Sequence, residues 1–404
     1  MKVLYLANGL PHYFNLVLSK LDASPDMEVV VVAPRTPGRN IGAGVFQSRE
    51  GIGFRLVELE EYSLGLFSSF RGLTRLLLQE RPDVIVFPEY MLLGFFLHPG
   101  LVYARRRTAA RLVQKSIPFR VPKYEDAKRR LRDALPPPGS SAGAILQAIG
   151  LRGPLLRAIL GLRARCYRRL DALVNYIDEG RDIYESYGVR RDRIWVTRNS
   201  PDTESMSRTE ARVLAEHPAP KRGEQTLLHV GRLVPEKRAG LLLEAMPAIL
   251  AQRPGAELHI VGDGPEKERL EALARQLGVA PAIRFVGAVY DPAELARHFL
   301  GASIFVLPGL GGLSINEAMF YRLPIVCSCG DGTERFLVRE GWNGTFFQDG
   351  SHESLAKAIL RLFSDPQGLR AMGNRSREII DREVNIGTVV HEYRKAFSYA
   401  CVQS

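Results

Sequence analysis

The chain is poor in several features that would narrow its class quickly. It has four cysteines and two tryptophans in 404 residues. So few cysteines make no disulfide framework. The close pair Cys327 and Cys329 supplies two ligands where a structural zinc site takes four, and at the end of a strand both read as small core residues. No Asp-x-Asp cluster suited to a divalent cation occurs. The longest apolar runs, such as MLLGFFL at 91–97, fall far short of the roughly 18 residues that cross a bilayer. The opening MKVLYLANGL reads as a buried strand and lacks the charged start and apolar stretch of a secretory signal. These absences disfavour a secreted disulfide scaffold, a zinc module and an integral membrane protein. The expected location is the cytoplasm, with peripheral attachment to the inner face of the plasma membrane left open.

What is present is ordinary for a globular protein, with 46% hydrophobic and 25% charged residues. At about 100–200 residues per domain the length fits two domains. The net charge of +11 is unevenly spread, because residues 101–170 hold 17 Lys and Arg against three Asp and Glu. A basic block of this kind attracts an anionic surface, whether phospholipid, phosphorylated carrier or nucleic acid, or is simply a solvated face. Within it, 154–170 reads as an amphipathic helix with Leu155, Leu156, Ile159, Leu160 and Leu162 against Arg157, Arg163, Arg165, Arg168 and Arg169. That composition suits a helix lying on an anionic membrane and equally an ordinary packing helix. PPPGSSAG before it marks a break.

Apolar runs alternate with helical segments along the whole chain. KVLYLAN, MEVVVVAP, DVIVFP, RLVQKS, DALVNY and RIWVTRNS are the strand candidates of the first half. QTLLHVG, ELHIVG, IRFVG, SIFVLPG and PIVCS are those of the second. Continuous apolar strands joined through helices indicate parallel sheets covered on both faces. AGLLLEAMPAILAQR and EKERLEALARQLG are helices between them, the latter ending at Gly278. The polar, proline-containing stretch 201–224 reads as the link between halves.

Three clusters carry chemistry. In HVGRLVPEKR a strand ends at Gly231, and Arg232 and Lys237 follow in the loop. Glycine allows close backbone approach, while a planar guanidinium and a point-charge ammonium suit a diphosphate. In HIVGDGPEKERL the strand ends at Gly262 and a βα turn follows. In VLPGLGGLSINEAMFYRLPIVCS a buried strand leads through Gly311 and Gly312 to a helix starting near Ser314. Backbone N–H groups of Gly312, Leu313 and Ser314 there would point at an anion. Glu317 lies one turn in, where a carboxylate can accept from both hydroxyls of a ribose or merely complement the helix dipole.

GRLVPEKR, the stretch IVGDGPEKERLEALARQLGV with IRFVG, and the ending NEAMFYRLPIV together resemble the retaining glycosyltransferases of family 4. The resemblance is strong over about 225–385 and mainly architectural over 1–200. It implies an α/β protein of the GT-B fold, two Rossmann-like domains facing across a cleft, with a C-terminal helix crossing back to the first. The expected domains are then 1–203, joined by a helix at about 386–404, and 204–385. The final helix has Val389, Val390, Tyr393 and Phe397 on one face. By the same resemblance Arg232 and Lys237 hold the donor diphosphate, Glu317 the ribose, and Gly312, Leu313 and Ser314 the β-phosphate, with Gly311 also on the donor side. Phe285, Val286, Gly287 and Val289 lie beside the nucleobase, and Gly231 and Gly262 complete the donor side. NSPDT at 199–203 stands where relatives have a turn before the second domain.

Two departures stand out. The first Glu of the family's pair, which touches the transferred sugar, is replaced by Gly309, and this puts the sugar's identity in doubt. The family also often has a His near the sugar in the first domain. Here His12 and His98 are the candidates, and His12 flanks Gly9 of an Asn8–Gly9 loop matching the family's glycine loop. A lone loop His is more often structural.

The resemblance implies displacement of a nucleoside diphosphate, here expected to be UDP, with retention of configuration and no metal, the two cations neutralising the leaving group. A lipid-linked saccharide in surface polysaccharide assembly is the expected acceptor, on the strength of the basic block. The rivals are a GT-B sugar-nucleotide epimerase or hydrolase and a non-catalytic sugar-nucleotide-binding relative. A nucleic-acid binder lacks any aromatic-basic interleaving.

Overall fold

The computed structural model describes residues 1–35, 49, 51–64, 67–133, 152–216, 225–330 and 332–402. Side chains at 64, 67, 130–133 and 152–156 are left aside, so Leu155, Leu156 and the PPPGSSAG stretch lie outside what is described. The chain divides into two compact units, Met1–Arg198 with Val389–Ser404, and Asn199–Thr388.

The first unit is built on a seven-stranded sheet. Its strands are β1 (Lys2–Leu6), β2 (Glu28–Pro34), β3 (Arg55–Leu59), β6 (Val84–Pro88), β7 (Arg111–Lys115), β8 (Ala172–Asn175) and β9 (Ile194–Val196). The order is β3-β2-β1-β6-β7-β8-β9 and every pairing is parallel. The short antiparallel pair β4 (Glu61–Leu64) and β5 (Phe67–Phe70) stands apart from it. Val29 to Val32 and Val84 to Phe87 are almost wholly buried, as helices on both faces of a parallel sheet require. All six strand segments expected here are strands, whereas β3, β4 and β5 were not foreseen.

The helix Arg152–Arg168 turns Leu160, Ala164, Cys166 and Tyr167 into this core, so its apolar side is used in packing. Arg157, Arg165 and Arg168 stay exposed. The helix Ile386–Val402 also closes on this unit from Val389 onward. It buries Val389, Tyr393, Ala396, Phe397 and Ala400. Tyr393 meets Phe14 with ring centres 5.8 Å apart, and Arg394 grips both oxygens of Asp26 at 2.8 and 2.9 Å.

The second unit has a six-stranded sheet of β10 (Thr226–Val230), β11 (Glu257–Val261), β12 (Ile283–Gly287), β13 (Ile304–Leu307), β14 (Ile325–Cys327) and β15 (Gly344–Phe346). The order is β12-β11-β10-β13-β14-β15, again parallel throughout. The expected strands are present and β15 is additional. The stretch read as a linker is different: 203–216 is the helix Thr203–Glu216, and residues 217–224 lie outside the description. Its polarity reflects an ion-pair network, since the largely buried Glu210 meets both Arg322 and Arg377. Among the described residues no helix is long and apolar enough to cross a membrane.

Candidate functional site

In the second sheet the strand order reverses between β10 and β13. Loops leaving two such strands diverge to opposite faces, and parallel sheets bind ligands in the crevice this opens at the carboxyl ends. The loop after β10 carries Gly231, Arg232 and Lys237. That after β13 carries Gly309 to Leu313 and leads into the helix Ser314–Phe320 with Glu317.

Lys237 joins the two loops. Its Nζ donates to the carbonyl of Leu310 at 2.8 Å and also to that of Gly311. A Cβ on Gly312 would stand 3.3 Å from the same Nζ. The ammonium is therefore held at the lip of the crevice beside backbone that a side chain would crowd. Arg232 is exposed in the loop after β10.

Glycines lock the ends of β10, β11 and β12 together. Gly231 N donates to Val261 O at 3.0 Å, and Gly262 N to Gly287 O at 2.7 Å. At Gly262, with φ of 147°, a Cβ would lie 1.9 Å from the Gly231 carbonyl oxygen, so no other residue fits. Leu233 N bonds Asp263 O at 2.9 Å, and Glu266 N bonds Leu233 O at 3.0 Å, which fixes the Arg232 loop from below. Phe285, Val286 and Val289 are half-buried around Gly287. Phe285 packs on one core cluster, Val286 and Val289 on the other.

Glu317 is half-buried on the helix Ser314–Phe320, and burial pushes its carboxyl up to about 7. A group poised this way changes its ionisation readily with any charge or hydrogen-bond donor brought beside it. The first N–H groups of this helix, at Ser314 and next to Leu313, have no acceptor within the helix itself.

Two features escaped the sequence reading. His229 on β10 is fully buried. The β10–β13 ladder pairs Leu227 with Ile304 and Leu228 with Phe305. Beyond it, His229 Nδ1 meets the Val306 carbonyl at 3.0 Å. As an acceptor, that carbonyl calls for Nδ1–H, and burial lowers the imidazole to about 4, so the ring is neutral. It braces the two strands where they begin to part. A histidine within an apolar strand carries no periodic signal of such a role. The second is the packing around Gly309, a position the sequence marks only by its missing carboxylate. A Cβ there would meet the Glu236 carbonyl oxygen at 2.3 Å and Lys237 backbone at 2.8 Å, while Leu310 N donates to that same Glu236 oxygen at 2.9 Å. The loop lies directly against the 236–237 backbone, so Gly309 is a packing requirement as well as a missing carboxylate.

The acceptor-side candidates belong to the first unit. Its order reverses between β1 and β6, and Asn8 and Gly9 follow β1 there, Gly9 buried with φ of 156°. His12 is exposed at the start of the helix His12–Asp22. His98 is a helix cap whose Nδ1 accepts from Leu101 N at 3.4 Å. Glu89, unforeseen, follows β6 at the same reversal. Tyr167 Oη donates to it at 2.9 Å and Arg163 pairs with it, while burial raises its carboxyl against the pull of Arg163. Among the described residues no group of three His, Cys, Asp or Glu is gathered to hold a metal.

Two Rossmann-like parallel-sheet halves, with a last helix returning to the first, define the GT-B fold. A solved structure of Anabaena Alr3699/HepE in complex with UDP shares it, with a TM-score of 0.66 over 98% of this chain and 100% of that one at 18% identity. Residues 213–379 match the family model of the glycosyl transferases group 1. Among curated relatives, the D-inositol 3-phosphate glycosyltransferase of Geodermatophilus obscurus is 30% identical over 56% of this chain and 53% of its own length. The GDP-mannose-dependent alpha-(1-6)-phosphatidylinositol monomannoside mannosyltransferase of Mycolicibacterium smegmatis is 30% identical over 47% and 49%. The chain spans about half the length of these relatives.

Proposed function

We propose that the protein is a glycosyltransferase that moves a sugar from a nucleoside diphosphate donor to a saccharide acceptor. The observation that carries this reading is the β10–β13 reversal, where the loop bearing Arg232 is joined through Lys237 to the glycine loop that leads into the helix of Glu317. These are the groups a nucleoside diphosphate demands: cations for the phosphates, close backbone, and an acceptor for ribose hydroxyls. The glycosyltransferase names of the curated relatives agree with it.

In the proposed reaction the bond between the anomeric carbon and the β-phosphate oxygen breaks, leaving an oxocarbenium-like sugar. Arg232 and Lys237 stabilise the charge gathering on the diphosphate, a task that in other enzymes falls to a divalent cation. The acceptor hydroxyl attacks from the face the diphosphate leaves, which retains configuration, and its proton passes to a phosphate oxygen. Asn8, Gly9 and His12 are the proposed acceptor-side residues. A UDP-sugar is the first donor to test and GDP-sugars the comparison, since one relative is GDP-mannose-dependent. The proposed acceptor is a lipid-linked saccharide at the inner membrane face, on the strength of the basic 101–170 block. Arrival there would be peripheral.

The test is a panel of sugar nucleotides followed first by thermal shift and then by product analysis with saccharide acceptors. One nucleotide is expected to raise Tm and to yield an α/β-defined glycoside. A nucleotide that binds and is only hydrolysed or epimerised would replace this reading by the hydrolase or epimerase one. Binding with no turnover at all would favour a sugar-nucleotide-binding protein, the alternative to which Gly309 lends weight.

A further inference from the structure

A cavity of about 420 Å³ opens in the first unit, far from the reversal between β1 and β6. It is lined by the apolar Phe95, Phe96 and Val102 and by Arg105, Arg106, Arg111 and Arg169, with Asp171 the single acid. Arg111 starts β7 and Asp171 immediately precedes β8, so the cavity sits at the amino ends of the strands. Asn8 and Gly9 follow the carboxyl end of β1 in the same parallel sheet, and strands of five residues separate the two edges by roughly 15 Å. The cavity is therefore separate from the acceptor-side candidates.

Its charge is out of balance. Asp171 is occupied by Arg111 at 3.5 Å and by the backbone N–H of Leu112 at 2.7 Å. Among the described residues no carboxylate lies within ion-pair reach of Arg105, Arg106 or Arg169. Arg105 is half-buried, with its guanidinium 5.5 Å from the centre of the Phe96 ring. Burial pushes that guanidinium down, Asp171 opposes this, and Arg111, Arg169 and Arg106 push it further down. Arginines in the last turn of the helix Pro99–Thr108 would satisfy its dipole by themselves. Arg169, exposed just past the end of the helix Arg152–Arg168, answers that helix's dipole in the same way, but neither dipole accounts for both helix ends meeting at one cavity with apolar lining. Like charges gathered in a concave site of ligand size cost stability that an anionic ligand would return.

We propose that this cavity binds a phosphate group attached to an apolar or uncharged body, the guanidiniums taking the phosphate and the apolar lining the remainder. A phospholipid headgroup and a soluble phosphate compound share this chemistry, and the test separates them. The full chain carrying R232A/K237A, which removes both cations of the candidate donor site from the readout, is titrated with inorganic pyrophosphate and, separately, with phosphatidylcholine vesicles with and without phosphatidylglycerol. A second protein adds R105Q/R106Q/R169Q. A third adds R107Q/R120Q/R165Q, which removes equal charge from exposed positions of the same basic stretch that do not line the cavity. A fourth, R105K/R106K/R169K, keeps the charge.

The expected result is binding in at least one arm that falls about tenfold or more in the cavity glutamine variant. It should change less than about twofold in the exposed-arginine variant and be largely kept by the lysine variant. Response to pyrophosphate identifies a soluble ligand, and response to anionic vesicles alone a lipid headgroup. The cavity glutamine variant is expected to melt at or above its parent, because relief of repulsion stabilises the empty protein. Equal loss in both glutamine variants, or no binding in either arm, overturns the proposal. So does a cavity glutamine variant that melts well below its parent, which would make the arginines structural.

Discussion

Lys237 and Arg232 are the residues on which donor binding is expected to turn. Replacing either by alanine removes a charge-assisted contact, typically about 1.5–3 kcal/mol, so nucleotide affinity is expected to fall roughly tenfold or more, read by calorimetry. Glu317 predicts a pH dependence. Its carboxyl titrates at about 7 in the empty protein against 4.5 ordinarily, and only the ionised form accepts from both ribose hydroxyls. Nucleotide affinity is expected to rise from pH 6 to 8 in the parent and to stay low and flat in E317Q. Stability runs the other way. The folded state holds this proton more tightly than the unfolded chain, so stability is lost as pH rises from about 4.5 to 7, and E317Q is expected to out-melt the parent at pH 8 but not at pH 4. His229 has the opposite sign. Its folded value of about 4 lies below the ordinary 6.5, so its share of stability fades as pH falls through that interval, and an H229F protein is expected to lose the acid-side part of the melting profile. Gly309→Glu restores the carboxylate that relatives have, yet the Glu236 carbonyl 2.3 Å from its Cβ position forbids it in this backbone. A lowered Tm with no gain of turnover is the expected outcome.

At the level of elements, legibility followed burial. Strands covered on both faces, such as β2 with VVVV, were readable because nothing polar interrupts them. β3, with RLVEL at the sheet edge, mixes charge with apolar residues, and β15, GTF, offers one apolar side chain where the equally short β14, IVC, is apolar throughout. The helix Thr203–Glu216 was hidden because its buried face includes Glu210, which composition counts as surface. Arg377 reaches Glu210 at 3.0 Å and the Phe320 carbonyl at 2.9 Å, tying that helix to the end of the Glu317 helix. Glu210→Ala is expected to cost about 1–3 kcal/mol, since it removes one charged partner from Arg377, which keeps Asp381 at 2.8 Å and the Phe320 carbonyl, as chemical denaturation would measure. The candidate donor-side glycines and cations stand out in the sequence through their spacing in loops after apolar strands. The His229 brace and the reason for Gly309 depend on backbone from distant parts of the chain, which spacing does not reveal.

For the whole molecule, a site that neutralises its leaving group with arginine and lysine is expected to turn over undiminished in EDTA. A drop that magnesium or manganese reverses would reassign that task to a metal. The helix Ile386–Val402 bears on how the molecule is made. Residues 1–198 leave the ribosome long before Tyr393 and Phe397, which fill their core beside Phe14. Vectorial synthesis usually lets an amino-terminal domain mature first. Here that domain waits with an apolar groove open while the second one is translated, and its maturation depends on a segment made only after that second unit. Nascent chains stalled before residue 389 are thus the form most in need of a chaperone.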